Sequence, residues 1–98
     1  MKRKVVTLCG SMRFSDKIAE VAERLELENG HVVLTPVLHV LDKPITASDA
    51  DLLGELHLAK IDISDAIYVV NVGGYIGEAV TKEIEYAQKR GKEIIYLE

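Results

Sequence analysis

Glu83 is the residue whose type and position first suggest chemistry. It falls in Gly77-Glu78-Ala79-Val80-Thr81-Lys82-Glu83-Ile84-Glu85-Tyr86-Ala87, a stretch with the period of an amphipathic helix after a glycine-containing turn. At about 100° per residue, Val80, Ile84 and Ala87 fall within roughly 60° of one another and form the buried stripe. Glu78, Lys82, Glu85 and Lys89 face the opposite way. Glu83 lies about 40° from Ala87, at the edge of the apolar stripe. A carboxylate withdrawn from water costs free energy unless something compensates it. This helix has a solvated face, which Glu78 and Glu85 use, so Glu83 is an exception with a candidate function. The same position also suits a boundary glutamate bonded to a backbone amide or a nearby lysine.

Two turns could serve such a carboxylate. Cys9-Gly10-Ser11-Met12-Arg13 joins an apolar run to a helical pattern. Glycine lets backbone N–H groups approach a ligand, and a helix N-terminus favours an anion. Ser11 adds a hydroxyl, and Arg13 a planar fork suited to phosphate. A tight strand–helix turn with a solvated arginine would look the same. No Gly-Lys-Ser/Thr follows, and no second and third glycines stand at dinucleotide-fingerprint spacing. Asn71-Val72-Gly73-Gly74-Tyr75-Ile76-Gly77 has three glycines within five residues, just before the helix of Glu83. It could admit a ligand to the backbone, with Tyr75 stacked on a sugar or base, or it could merely turn the chain.

His57 completes the candidates. Leu52, Leu56, Ala59 and Ile63 form one stripe of its helix, and Leu53, His57 and Ile61 a second, about 100° or more away. A helix apolar on two sides is buried on two sides. The face of Leu53 and Ile61 is expected to look away from the sheet and meet another copy of the chain. His57 is then an interface or core residue, or a catalytic one.

The elements that position these residues follow from periodicity. Residues 5–9 read as a buried strand, residues 15–28 as a helix capped by Ser15, and residues 31–35 as a second strand. Residues 36–48 form a loop, and Ser48 or Asp49 caps a helix running to about Ile63. Residues 66–70 form a third strand, 77–90 a third helix and 93–97 a last strand. Strands alternating with helices predict a small doubly wound, flavodoxin- or Rossmann-like α/β fold. Its parallel sheet of about four strands has helices on both faces. Ligands in such sheets bind beyond the carboxyl ends of the strands where the order reverses. That rule selects residues 10–13, 35–39 and 71–77.

The totals agree with one domain over residues 1–98, 48% hydrophobic and with net charge −4. Nothing resembles the basic footprint of a nucleic-acid binder, although a single nucleotide would fit. The one cysteine, Cys9, allows neither an internal disulfide nor a thiol-built metal cluster, and reads as a buried thiol. His31, His39 and His57 lack ligand spacing, so no metal or cofactor is expected. No apolar run approaches the roughly 20 residues of a membrane span. Met1-Lys2-Arg3-Lys4 has the charge of a signal n-region, but the apolar run after it is too short. A cytoplasmic protein is expected.

Taken together, these residues resemble the nucleoside 2-deoxyribosyltransferase-like family, and its 2′-deoxynucleoside 5′-phosphate N-hydrolase branch most nearly. Cys9-Gly10-Ser11-Met12-Arg13 looks like that branch's phosphate-binding turn. Ser64-Asp65-Ala66-Ile67-Tyr68-Val69-Val70 is similar to the family's acidic start of the third strand. Glu83-Ile84-Glu85-Tyr86-Ala87, then Gly91-Lys92, is similar to its Glu-aliphatic-Gly-Tyr-Ala segment and following Gly-Lys. The resemblance implies cleavage or transfer at the N-glycosidic bond of a nucleoside or nucleoside 5′-monophosphate, with Glu83 as nucleophile through a glycosyl-enzyme intermediate. It implies substrate binding by Cys9, Gly10, Ser11, Met12, Arg13, Gly77 and Glu78, no cofactor, and a homodimer or larger homo-oligomer with the site near the subunit boundary.

The sequence departs from the family in places. His57 stands where the family usually has an aspartate, eight residues before Asp65, and an imidazole there could act as general acid or base. Gly77 stands at a small polar position, Ala79 and Thr81 replace glycines, and Thr7 replaces an aromatic residue of the first strand. The family's segment after the fourth strand has no counterpart in these residues. Two other readings stay open. One is a non-catalytic nucleotide-binding module of the same fold. The other is a lonely-guy type phosphoribohydrolase, whose Gly-Gly-x-Gly-Thr-x-x-Glu loop residues 73–77 resemble superficially.

Overall fold

A computed structural model describes residues 2–98; Met1, which opens the n-region-like stretch, lies outside the described residues. The elements are β1 (Val5–Cys9), α1 (Ser15–Asn29), β2 (Val32–Leu34), α2 (Ala47–Asp62), β3 (Ala66–Val69), α3 (Glu78–Lys89) and β4 (Glu93–Tyr96). All strand pairs are parallel, in the order β2-β1-β3-β4. The chain runs outward from β1 to β2, then crosses back to place β3 on the other side of β1. The order therefore reverses between β1 and β3, as the alternating pattern predicts.

β1 divides the core by strand alternation. Val6 and Leu8 face α1, where they pack with Ile18, Val21, Ala66 and Val70. Cys9 faces the other way, into the layer of Ile61 from α2 and Val80, Ile84 and Ala87 from α3. α3 buries the stripe its sequence predicts, and Glu78, Lys82, Glu85 and Lys89 are exposed.

α2 corrects two expectations. Its cap is Thr46, not Ser48 or Asp49: Asp49 N–H donates to Thr46 Oγ1 at 3.0 Å, and Thr46 N–H donates to the Asp49 carboxylate at 3.1 Å. This capping box satisfies two backbone donors at once, and the loop ends earlier as a result. The helix is also turned the other way. His57 and Ile61 are buried, whereas Leu52, Leu56 and Ile63 are 53%, 47% and 70% exposed. The face carrying His57 and Ile61 packs on the sheet, and the outward face is the other stripe. The physical reason is polar. The Thr7 side chain, on the α2 side of β1, bonds the Lys60 carbonyl at 3.1 Å and lies 2.6 Å from Ser64 Oγ. Ser64 also donates to the Lys60 carbonyl at 2.7 Å. Only one orientation of α2 pairs these buried groups.

α1 departs slightly as well. Ser15 is its first helical residue rather than its cap, because a single 3₁₀ turn, Met12–Phe14, intervenes after β1. β2 is shorter than expected, an edge strand paired only with residues 5–7 of β1.

The orientation of α2 predicts opposite signs for two substitutions on it. Ile61 is fully buried, so Ile61→Ala is expected to destabilise by about 2–5 kcal/mol. An added Cβ at Gly54 meets nothing within 4 Å. Gly54→Ala is therefore expected to stabilise by about 0.5–1 kcal/mol. Urea denaturation measures both. A neutral Ile61→Ala would show that this face of α2 does not meet the core.

Candidate active site

Three elements deliver one side chain each to a common point at the carboxyl end of β1. Cys9 is the last residue of β1, His57 lies in the second half of α2, and Glu83 lies midway along α3. His57 Nε2 is 3.4 Å from Cys9 Sγ and 3.4 Å from Glu83 Oε1. The three donor atoms all lie within 4.8 Å of one another.

Two sets of bonds hold this meeting in place. The Thr7–Ser64–Lys60 bonds fasten the last turn of α2 to β1, two residues before Cys9 in the strand. Farther along, the Tyr86 hydroxyl bonds both Asp62 carboxylate oxygens at 2.9 Å, tying the end of α2 to α3. The Arg90 guanidinium adds a contact of 3.7 Å to Asp62 and lies 4.6 Å from the centre of the Tyr86 ring. The carboxylate beside the Tyr86 hydroxyl raises its pKa. These contacts fix the register in which His57 and Glu83 face each other. Asp65 is structural, its carboxylate accepting from Val5 N–H at 2.8 Å.

The burial of the trio is graded. Cys9 is fully buried, the His57 side chain is 8% exposed and that of Glu83 21%. Glu83 is therefore the member that solvent or a ligand reaches. Burial is the main cause that pushes the Cys9 thiol far up, and the charge and hydrogen bonding of Glu83 add to it. Cys9 is thus a neutral thiol beside a carboxylate, as its reading as a buried thiol requires. His57 Nδ1 is buried without a partner among the described residues. A neutral ring that carries its proton on Nε2 turns that proton toward Glu83, which accepts charge-assisted bonds best. Among the described residues, His57 is the one basic side chain in ion-pair contact with Glu83.

The two expected ligand turns lie beside each other. The Arg13 guanidinium stacks 4.1 Å from the centre of the Tyr75 ring, and its Nη2 is 3.4 Å from the Tyr75 hydroxyl. Phe14 meets the same ring edge-on at 5.9 Å. The residues after β1 are thereby joined to residues 71–77 after β3, a contact that no spacing in the sequence announced. Arg13 has no carboxylate partner among the described residues, so most of its donors remain free. Ser11 caps the 3₁₀ turn, accepting from Arg13 N–H at 3.3 Å. Gly10 packs tightly, since a Cβ there would stand 3.2 Å from Val70 and 3.3 Å from Ile18. Gly73 and Gly74 adopt φ of +64° and +80°, which explains their residue type. The loop they form is pinned by Asn71, whose side chain pairs with the backbone of Glu98 at 2.9 and 3.1 Å.

The other expected positions lie outside the trio. Gly77 is the N-cap of α3 and makes no side-chain cap bond. Glu78 projects into solvent, 3.5 Å from Lys82. Met12 is 48% exposed and borders a hollow of about 410 Å³ with Ser15, Asp16, Ala19 and residues 38–40. A second hollow, of about 230 Å³, lies between residues 37–45 and the first turns of α2. Neither hollow is lined by Cys9, His57 or Glu83.

No protein-family model matches the chain, and no curated protein does. Seven chains of solved structures match. One is a 2-deoxyribosyltransferase from Bacillus psychrosaccharolyticus, described as a biocatalyst for the synthesis of antiviral and antitumoral nucleosides. It superposes with a TM-score of 0.69 over 94% of this chain and 70% of its own, at 16% identity. In its fold, a four-stranded parallel sheet in doubly wound order, this chain is similar to that enzyme.

Proposed function

We propose that this protein cleaves or transfers the N-glycosidic bond of a nucleoside or nucleoside 5′-monophosphate, with Glu83 as nucleophile. The observation that carries the reading is the half-withdrawn Glu83 carboxylate, 3.4 Å from an imidazole nitrogen at the reversal point of the sheet. The fold likeness to a 2-deoxyribosyltransferase supports it. The resemblance of Cys9-Gly10-Ser11-Met12-Arg13 to the phosphate-binding turn of the N-hydrolase branch points to a nucleotide.

In the first step a Glu83 oxygen attacks the anomeric carbon. The bond from that carbon to the base breaks, and its electron pair leaves with the base nitrogen. For this step His57 enters as imidazolium: its Nε2 gives a proton to the base nitrogen, the base leaves neutral, and the ring becomes neutral imidazole. In the second step water, or the nitrogen of an acceptor base, attacks the same carbon and returns its proton to Nε2. Glu83 is then released as carboxylate, and two displacements retain the anomeric configuration. The transition states carry positive charge on the sugar, beside a carboxylate with little water around it. In this reading Gly10, Ser11 and Arg13 hold the 5′-phosphate, and Gly77 and Glu78 contact the substrate from the start of α3.

The outward stripe of α2, Leu52, Leu56, Ala59 and Ile63, is the joining face of a homodimer in this reading. Leu52 of that stripe and the exposed Val37, Val40 and Leu41 of the preceding loop line one hollow. No helix among the described residues is long and apolar enough to cross a membrane; a cytoplasmic setting belongs to the same proposal. One observation favours a binding module without turnover, namely that the two hollows lie away from Glu83. Incubation with a nucleotide panel separates the readings: free base appears for an enzyme, and retained intact nucleotide marks a binder.

Glu83→Gln is expected to reduce base release to background while the circular dichroism spectrum stays unchanged. Undiminished release would remove Glu83 from the mechanism. His57→Gln should lower kcat by about 10²–10⁴. Arg13→Ala should weaken nucleotide binding by about tenfold to a hundredfold, the equivalent of a charge-assisted bond of about 1.5–3 kcal/mol. It should leave nucleoside binding nearly unchanged, and calorimetry with both ligands checks the difference. Changing Leu52 and Leu56 together to Lys should convert the dimer to monomer in sedimentation. A monomeric unmodified protein at micromolar concentration would end the dimer proposal.

A further inference from the structure

We propose that Cys9, His57 and Glu83 together bind one thiophilic divalent cation, zinc being the best match, through Sγ, Nε2 and a carboxylate oxygen. Zinc takes sulfur at about 2.3 Å, imidazole nitrogen at about 2.0–2.1 Å and carboxylate oxygen at about 2.0–2.2 Å, in tetrahedral order. Donors so placed stand roughly 3.4–3.6 Å apart. His57 Nε2 stands 3.4 Å from both Sγ and Oε1, and all three atoms fall within 4.8 Å.

The donor set selects the ion. A soft sulfur with an imidazole and one carboxylate suits zinc, and works against magnesium and calcium, which demand oxygen. Charge agrees. Binding releases the Cys9 proton to solvent, and the resulting thiolate and the carboxylate balance a divalent ion around a neutral imidazole. The donors sit on three packed elements held by the Thr7–Ser64 and Asp62–Tyr86 bonds, so they are preorganised. The fourth position is left for water on the side where Glu83 has its exposure, an arrangement typical of reactive rather than structural zinc. One feature limits affinity. His57 Nδ1 has no partner among the described residues to orient the ring, and such partners are commonly worth about 10- to 100-fold.

Metal binding by the trio requires its three donors and not glycoside cleavage. The two states exclude each other, because a metal-bound Glu83 oxygen is no longer a free nucleophile.

The test is a titration of chelator-treated protein with Co²⁺ as a spectroscopic probe, followed by displacement with Zn²⁺. One ion per chain should bind, with a thiolate-to-cobalt charge-transfer band, tetrahedral visible bands and release of one proton. Zinc should abolish the colour. Cys9→Ser, which exchanges one atom, should eliminate the charge-transfer band. Glu83→Gln and His57→Gln should each weaken binding at least about tenfold. Circular dichroism identifies a variant that fails to fold, and the remaining variants then decide. Absence of saturable binding at one ion per chain would overturn the proposal. Equally, binding of the same strength in the folded variants would place the ion on surface acids and refute the trio as its site.

Discussion

The buried pairing of Thr7 with Ser64 is the constraint on which the site rests. Thr7 lies in the middle of β1 with no exposure, and a hydroxyl there must find a partner or lose about 1–3 kcal/mol. The end of α2 supplies one in the Lys60 carbonyl, which with Ser64 closes a three-membered polar cluster. Carbonyls in the last turn of a helix lack intrahelical donors, so the same bonds also complete the helix end. Strand alternation then turns Cys9 to the same side as Thr7. Helical periodicity places His57 one turn before Lys60, over that thiol. An aromatic residue at position 7 would fill the space and remove the pairing. Thr7 and His57 are therefore two parts of one local solution.

What the sequence made legible depended on how apolarity was distributed. α3 has a single apolar stripe, so its buried face, its solvated face and the boundary place of Glu83 all follow from counting 100° steps. α2 has two stripes, and apolarity alone could not rank them. The deciding groups were polar: a threonine 53 positions before the Lys60 carbonyl it bonds, and a serine just past the helix end. The capping box was readable in principle, since Thr46 precedes Asp49 by three residues. Ser48 and Asp49 are equally good capping residue types, and side-chain reciprocity decides among them only in three dimensions.

The candidate site was legible residue by residue and illegible as a constellation. Glu83 and His57 each stood out by type against an apolar surround. Their meeting with Cys9 is invisible to ligand-spacing rules, because β1, α2 and α3 contribute one donor each. The stacking of Arg13 on Tyr75 is hidden for the same reason, the two being 62 positions apart. Motif rules describe donors that one helix or one loop presents. This fold assembles its centre from the ends and faces of separate elements, which topology alone brings together.

The arrangement leaves one electrostatic demand. Glu83 is a largely buried anion whose only ion-pair contact among the described residues is His57. Its other neighbour in the trio, Cys9, is kept neutral because burial and the carboxylate itself oppose a second negative charge. The centre therefore favours any positive charge that enters it. A protonated imidazole meets that demand from within the protein. A sugar that gains positive character as its glycosidic bond breaks meets it in a transition state, which is how a carboxylate accelerates such a reaction. A divalent cation meets it more fully, and reverses the preference at Cys9 by making the thiolate a ligand rather than a second unpaired charge. An aspartate at position 57 would instead add negative charge beside Glu83 and raise the demand further. By placing an imidazole there, this chain lowers the net negative charge at the point where α2, α3 and the end of β1 converge.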